Sequence, residues 1–244
     1  MRKTTFFLLI AGLLISACGA QTTPTTPAPA TATVAQLLEA SPTPQDEAQS
    51  SPSVESASAG AETVTYAIVP DESQVSYTVD EVFINQNNRL NTAVGTTSQI
   101  SGEIVLDRVN PKNSQIKPIT IDISQFTSDS SRRDNALRDR FLESARFPEA
   151  TFTSTQVEGL PDVIEEGKDY NLTITGDLTV KETSHPVSFD TQVRLEGDRL
   201  SGQATATLLM SDFGVGPINL GGILKTEDEV QIRFDFLAQP GASG

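Results

Sequence analysis

Apolar and polar residues alternate along several stretches of the chain between residues 63 and 238. Strands with one buried face show this period of two, and a polar second face is typical of antiparallel sheets. About eight such stretches within roughly 175 residues predict an antiparallel β-barrel or a β-sandwich. The clearest apolar sets are Val64, Tyr66 and Ile68; Val75, Tyr77 and Val79; Ile119, Ile121 and Ile123; Tyr170, Leu172 and Ile174; Val187, Phe189 and Val193; and Val230, Ile232 and Phe234.

One segment, residues 130–146, departs from this alternation and predicts an α-helix. Ser130 or Ser131 can cap its start, and Pro148 is expected to end it. Its apolar residues recur at helical spacing and form one stripe. They are Leu137, Phe141, Leu142 and Ala145.

Arg138 falls inside this apolar stripe. Because an unpaired buried guanidinium is costly, we expect Arg138 to point inward and to have a partner. The partner is either an acid that holds the helix to the barrel or the polar head group of a ligand.

The first 17 residues have the three parts of a signal peptide: a basic start, an apolar stretch over residues 6–15, and small residues before the cleavage point. The apolar stretch is too short to span a bilayer as a helix. Ile15-Ser16-Ala17-Cys18 resembles a lipobox, which implies that Cys18 receives a diacylglycerol and anchors an exported protein on the extracytoplasmic side of a membrane, in the periplasm or at the cell surface. The alternative is an ordinary signal peptide with an unrelated cysteine.

The composition changes after Cys18. Residues 21–62 are rich in Pro, Thr, Ser and Ala and contain few large apolar residues, so they are expected to form a disordered tether. The predicted organisation is therefore a signal peptide (1–17), a lipidated cysteine with its tether (18–62) and one β-domain (63–240).

Charge and cysteine content narrow the function classes. The net charge is −15, so the protein as a whole should be repelled by nucleic acid and by anionic lipid surfaces. Cys18 is the single cysteine, and no intrachain disulfide can form. The oligomeric state stays open.

An ordered series of motifs covers the predicted β-domain from about Tyr66 to Leu237. The motifs are Asp129-Ser130-Ser131-Arg132-Arg133-Asp134-Asn135-Ala136-Leu137-Arg138, Phe147-Pro148-Glu149-Ala150-Thr151-Phe152, Thr175-Gly176-Asp177-Leu178-Thr179-Val180, His185-Pro186-Val187 and Ser211-Asp212-Phe213-Gly214. In order and spacing, this series resembles the YceI-like family of polyisoprenoid-binding proteins.

The resemblance implies a lipocalin-like antiparallel barrel of about eight strands, crossed by one helix near 130–146. It also implies an isoprenoid-type ligand, such as a polyprenyl or quinone-like lipid, no catalytic activity and no further cofactor. The sequence departs from the family at Val79-Asp80-Glu81, where relatives often carry a histidine, and in the polar stretch 84–97, which is expected to form a loop at one barrel end.

A barrel of about eight strands has room for side chains or for one slim ligand. Two hypotheses follow: a hollow barrel that binds a lipid, or a filled barrel that serves as an envelope scaffold or interaction protein. For the first, the predicted cavity residues are Tyr66, Val75, Tyr77, Val79, Ile121, Phe141, Phe152, Leu172, Ile174, Phe189, Val193, Phe213, Ile232 and Phe234.

Catalytic motifs are weak in this sequence. His185 is the single histidine, so a Ser-His-Asp triad or a histidine-rich metal site is hard to build. Asp212-Phe213-Gly214 matches a kinase triplet without the accompanying kinase loops. An enzyme acting on lipid through His185 or Asp212 is the weakest hypothesis.

Overall fold

The computed structural model describes residues 63–241. The predicted signal peptide, the lipidated Cys18 and the tether lie outside the described residues. Fourteen strands are present: β1 Thr63–Ile68, β2 Gln74–Phe83, β3 Arg89–Thr97, β4 Ile100–Ser101, β5 Glu103–Asp107, β6 Gln115–Ile116, β7 Ile119–Asp122, β8 Thr127–Ser128, β9 Glu149–Glu158, β10 Asp169–Val180, β11 Thr183–Glu196, β12 Arg199–Leu209, β13 Asn219–Leu220 and β14 Leu224–Pro240.

Nine of these strands form a circuit in which β3 and β4 follow each other along one wall. From β14 the pairs run through β2 to β3 on one side, and through β12, β11, β10, β9 and β7 to β4 on the other. Because β3 continues into β4 after two residues, the two arms meet and the sheet curls into a barrel. The predicted fold class, an antiparallel lipocalin-like barrel, is confirmed.

The alternation of residue types places the core inside this curl. On β2, Val75 and Val79 are buried, whereas Gln74 and Asp80 on the opposite face are exposed. On β10, the buried positions are likewise every second residue. The strands therefore form where the period-two pattern predicts them, because only one face of each strand meets the interior.

The barrel has two different ends. At one end, β1 pairs with the last residues of β14 and with β5, and the apolar cluster here includes Tyr66, Leu195 and Phe236. We call this the closed end. The opposite end, where β14 begins and β2 finishes, is crossed by a short helical segment. We call it the mouth.

The helical segment is shorter than the sequence predicts. The α-helix α1 spans Ser131–Ala136, and one π-helical turn follows over Leu137–Phe141. The predicted N-cap is present, since the Ser130 hydroxyl accepts a hydrogen bond from the Arg133 amide. The predicted end near residue 146 is wrong, because Glu143 adopts a left-handed conformation with φ of 51°, which breaks the helical path.

The segment spans the mouth from one wall to the other. At its start, the Arg133 guanidinium reaches Glu81 on β2. At its end, the Lys181 ammonium in the β10–β11 turn donates a hydrogen bond to the Phe141 carbonyl. The predicted crossing helix is thus present, and it covers part of the barrel opening.

Candidate binding cavity

A cavity of about 880 Å³ occupies the mouth half of the barrel. Its wall is mostly aliphatic and aromatic, with contributions from the strands, from α1 and its π turn, and from the 3₁₀ turn Met210–Phe213. Exposed residues such as Gln86, Arg132 and Ile223 also line it, so the cavity reaches solvent at the mouth. A volume of this size lies within the usual range of small-molecule sites.

Most of the predicted cavity residues meet around this space. Strand alternation places nine of them on the inner face of the barrel, while the π turn supplies Phe141 and the 3₁₀ turn supplies Phe213. Two of the rings, Phe152 and Phe189, pack edge to face with centroids 5.1 Å apart. The eleven that line the cavity are Val75, Tyr77, Val79, Ile121, Phe141, Phe152, Ile174, Phe189, Phe213, Ile232 and Phe234.

Three predicted cavity residues lie at the closed end instead. Tyr66 is fully buried in the closed-end cluster. Leu172 and Val193 line a separate small cavity of about 90 Å³. Their inward direction matches the alternation, but β10 and β11 are 12 and 14 residues long and continue past the floor of the main cavity.

An ion pair that the sequence analysis missed lies at the mouth end of the cavity. The Glu81 carboxylate accepts hydrogen bonds from the Arg133 guanidinium and from the Asn91 amide, both at 2.7 Å. The Glu81 side chain is only 2% exposed. Arg133 also pairs with Asp129 on its solvent side, so its charge has two partners.

The alternating pattern of β2 could have identified Glu81 as an inward-facing residue. Val75, Tyr77, Val79 and Glu81 are every second residue, so Glu81 continues the inward face of β2. Burial lowers the pKa of Arg133, but its hydrogen bonds to Glu81 and Asp129 outweigh burial and raise the pKa above its ordinary value. The guanidinium is therefore a fixed positive charge at the cavity wall.

Tyr77 lies beside this ion pair. Its ring packs against Phe126 in a T-shaped contact with centroids 5.3 Å apart, and it covers Gly95 on β3. A Cβ at position 95 would lie 2.3 Å from the Tyr77 ring, so this close approach requires glycine. Burial raises the pKa of the Tyr77 hydroxyl to about 12, so it remains a neutral hydrogen-bonding group near neutral pH.

Arg138 has no acid partner among residues 63–241, and its other expected partner, a ligand head group, stays a prediction. Its guanidinium donates to the Phe126 carbonyl at 3.0 Å and to the Asn135 side-chain oxygen at 2.7 Å. These neutral acceptors hold Arg138 outside the cavity. The predicted stripe fails here because the helix changes to a π turn at Leu137, which alters the angle between successive side chains.

The remaining sequence-based hypotheses concern a catalytic histidine, a metal site and a membrane-spanning helix. His185 is half-buried on β11, with its ring edge against Phe213. Within the part of the chain that the structure describes, no group of three or more His, Cys, Asp or Glu residues could hold a metal ion. The same part contains no helix with the length and apolarity needed to span a bilayer.

Further residues line the cavity from outside the alternating strands. Leu137 lies in the helical segment and Leu142 follows it directly, and both belong to the predicted apolar stripe. Phe126 follows a 3₁₀ turn, and no periodic pattern identifies it. The mouth adds residues from the turns around β13. Those that line the cavity there include Phe83, Ile218, Leu220, Ile223 and Leu224.

Comparison with known proteins agrees with this architecture. The model of the YceI-like domain family matches residues 66–238. A UPF0312 protein of Pectobacterium carotovorum and Protein YceI of Escherichia coli are each 31% identical over 128 residues, which is 50% of this chain and 62% of each relative. The matched region thus spans less than two thirds of those relatives.

Two solved structures share the fold. BcnA of Burkholderia cenocepacia has a TM-score of 0.53 with 23% identity and covers 70% of this chain and 99% of its own. A polyisoprenoid-binding domain from Saccharophagus degradans has a TM-score of 0.55 with 14% identity, covering 73% and 99% respectively. Since the family model also spans most of the chain, this protein belongs to the YceI-like domain family.

Proposed function

We propose that this protein binds an isoprenoid-type lipid, or a similar amphiphile, in the barrel cavity and performs no reaction on it. The observation that carries the proposal is the apolar cavity of about 880 Å³ that reaches solvent at one end. A filled barrel, as the scaffold hypothesis requires, does not fit this interior. The name of the Saccharophagus relative, a polyisoprenoid-binding domain, supports the same ligand class.

The energetics favour an apolar chain in this space. Transfer of about 20 prenyl carbons from water into the cavity contributes on the order of 10 kcal/mol before ordering costs. The walls that receive such a chain include Ile174, Phe189 and Phe234. No reactive group is needed for this task.

In this proposal, the polar end of the ligand lies at the mouth. Glu81, Arg133 and Tyr77 line the cavity together with the exposed Arg132 and Arg140. These groups supply hydrogen-bond donors and an acceptor for a hydroxyl, carbonyl or phosphate head group. An amphiphile would therefore bind with its chain toward the closed end.

The proposal includes export and anchoring. Residues 1–17 and the lipobox-like sequence ending at Cys18 support an extracytoplasmic lipoprotein that finds its ligand in the membrane. Mass spectrometry of the N-terminal peptide tests this part: a diacylglyceryl group on Cys18 is expected, and an unmodified cysteine in membrane-extracted protein would contradict it.

Native mass spectrometry of the full chain, purified from its membrane in mild detergent, tests ligand binding. We expect a bound species whose mass, after organic extraction, matches a polyprenyl or quinone-like lipid. A preparation that is folded and free of lipid, and that fails to take up added polyprenol, would refute the proposal. Uptake of unrelated polar molecules alone would also count against it.

A further inference from the structure

Three exposed aliphatic side chains lie on the two turns at the mouth. Leu90 is 79% exposed, Ile223 is 51% exposed and Ile84 is 38% exposed. The Ile84 amide donates a hydrogen bond to the Ile223 carbonyl at 2.9 Å, which joins the β2–β3 turn to the β13–β14 turn. We call residues 84–90 and 218–225 the mouth rim.

The mouth rim has a different charge from the rest of the protein. It contains two bases, Arg89 and Lys225, and no aspartate or glutamate, although the chain carries 32 acids and 17 bases. The Arg89 guanidinium lies over the Phe83 ring at 4.7 Å. This contact holds its charge next to the apolar residues of the rim.

Charged residues of both signs surround the mouth rim. Arg132 and Arg140 of the helical segment are exposed and line the cavity opening. Glu81, the acid closest to the rim on β2, is buried in its ion pair. Exposed acids also lie on the elements around the mouth, and all of them are outside both rim segments. They include Asp80, Asp129, Asp139, Glu182, Asp212, Glu227 and Glu229.

We propose that the mouth rim docks on an anionic lipid surface, with Leu90, Ile223 and Ile84 inserted among the lipids. Exposed aliphatic residues gain free energy when they leave water, and nearby bases gain from anionic head groups. The cavity then opens directly into the lipid phase, and an apolar ligand enters without crossing water. This inference extends the proposed function, because it gives the route by which the cavity is filled.

The chain enters the barrel at the other end. β1 starts at Thr63 beside the last residues of β14, whereas the rim adjoins the first residue of β14. This strand has 17 residues, so the two ends are at most about 55 Å apart. Residues 19–62 separate Cys18 from Thr63 and can span at most roughly 150 Å. Their covalent length therefore allows an anchored barrel to turn its mouth to the membrane.

Tryptophan reporters test the docking directly. The chain contains no tryptophan, so Leu90→Trp and Ile223→Trp each introduce a single fluorophore at the rim. Val109→Trp is the matched control, since Val109 is 69% exposed and follows β5 at the closed end. The full-length protein is reconstituted in vesicles of phosphatidylcholine and phosphatidylglycerol, with and without brominated acyl chains.

We expect the brominated lipids to quench the rim tryptophans by about half or more, because side chains at a membrane interface lie within several ångströms of the acyl chains. The Val109→Trp protein should be unaffected. Absence of quenching at positions 90 and 223 would overturn the inference. Equal quenching at position 109 would also overturn it, because it would indicate non-specific adsorption.

Lipid extraction from the same variants separates this inference from the proposed function. If the rim tryptophans are quenched and no lipid is extracted, docking stands and lipid binding fails. If lipid is extracted and the rim tryptophans are not quenched, lipid binding stands and docking is overturned.

Discussion

The Glu81 carboxylate lies 2.7 Å from the Arg133 guanidinium and joins the barrel wall to the helical segment that crosses the mouth. Glu81 is 2% exposed and Arg133 is 18% exposed, so water screens this pair weakly. The two residues are 52 positions apart in the sequence. Their pairing therefore fixes the position of the segment over the cavity.

Glu81→Ala should destabilise the protein by about 2 kcal/mol or more, because Arg133 and Asn91 lose a buried acceptor. The free energy of unfolding in urea checks this value. The control is Asp162→Ala, which removes the pair with Lys112, whose side chains are 64% and 86% exposed. That change should cost less than about 1 kcal/mol. Equal effects of the two substitutions would contradict the role assigned to Glu81.

Stability should fall above pH 10 because of Tyr77. The pKa of its hydroxyl is about 12 in the folded protein, against 10.0 as its ordinary value. The raised pKa contributes stability that is fully present below pH 10 and is lost as the pH rises through 12. At about 1.4 kcal/mol per pKa unit, the full contribution is about 2–3 kcal/mol.

Urea unfolding at pH 9 and pH 11 tests this dependence, with Tyr77→Phe as the comparison. The native protein should lose more stability between the two pH values than the variant does. Identical pH dependence in both proteins would show that Tyr77 ionises normally. Alkaline titration of tyrosine absorbance gives a second readout, since the chain has only three tyrosines.

Gly95→Ala should destabilise the barrel by about 1–3 kcal/mol through overpacking against Tyr77. A Cβ at this position lies 2.3 Å from the ring and 2.6 Å from its hydroxyl oxygen. The control is Gly221→Ala, since a Cβ at position 221 meets nothing within 4 Å. Thermal unfolding measures both variants. The Gly95→Ala, Tyr77→Val double variant should recover stability lost to the clash; no recovery would indicate another cause.

Ala204→Phe should expel the bound lipid by filling the cavity. Ala204 is buried and lines the cavity from β12, and a phenyl ring there occupies the space of the ligand. Lipid extracted per mole of protein should fall about tenfold, which corresponds to a loss of about 1.4 kcal/mol in binding. Thr207→Phe is the control, because position 207 is exposed on the same strand. Equal retention by both variants would place the ligand elsewhere.

Strand alternation predicted an antiparallel barrel or sandwich and most of the inner wall, and the family resemblance selected the barrel. Val75, Tyr77 and Val79 on β2 face inward as their parity requires, and every second residue from Val230 to Phe234 does the same on β14. The reason is that a strand turns successive side chains to opposite faces. Parity tells which face of the sheet a side chain lies on, but it does not tell how far along the barrel axis the side chain lies. Leu172 and Val193 therefore have the predicted direction and lie at the closed end rather than in the main cavity.

The helical segment shows a second limit of prediction from sequence periodicity. Helical periodicity predicted its start at Ser130, where a local cap forms, but assumed regular turns as far as residue 146. The π turn at Leu137–Phe141 and the left-handed Glu143 end the segment early. As a result Arg133, rather than Arg138, carries the ion pair with the barrel.

The sequence by itself determined the antiparallel barrel, the crossing segment and the apolar character of the interior, because these depend on local periodicity and on motifs in order along the chain. Only the tertiary structure decided that the interior is partly empty, that Glu81 meets Arg133, and that the aliphatic residues of two distant turns share one rim. These properties depend on how strands far apart in sequence close into a barrel, and on the volume left between their side chains.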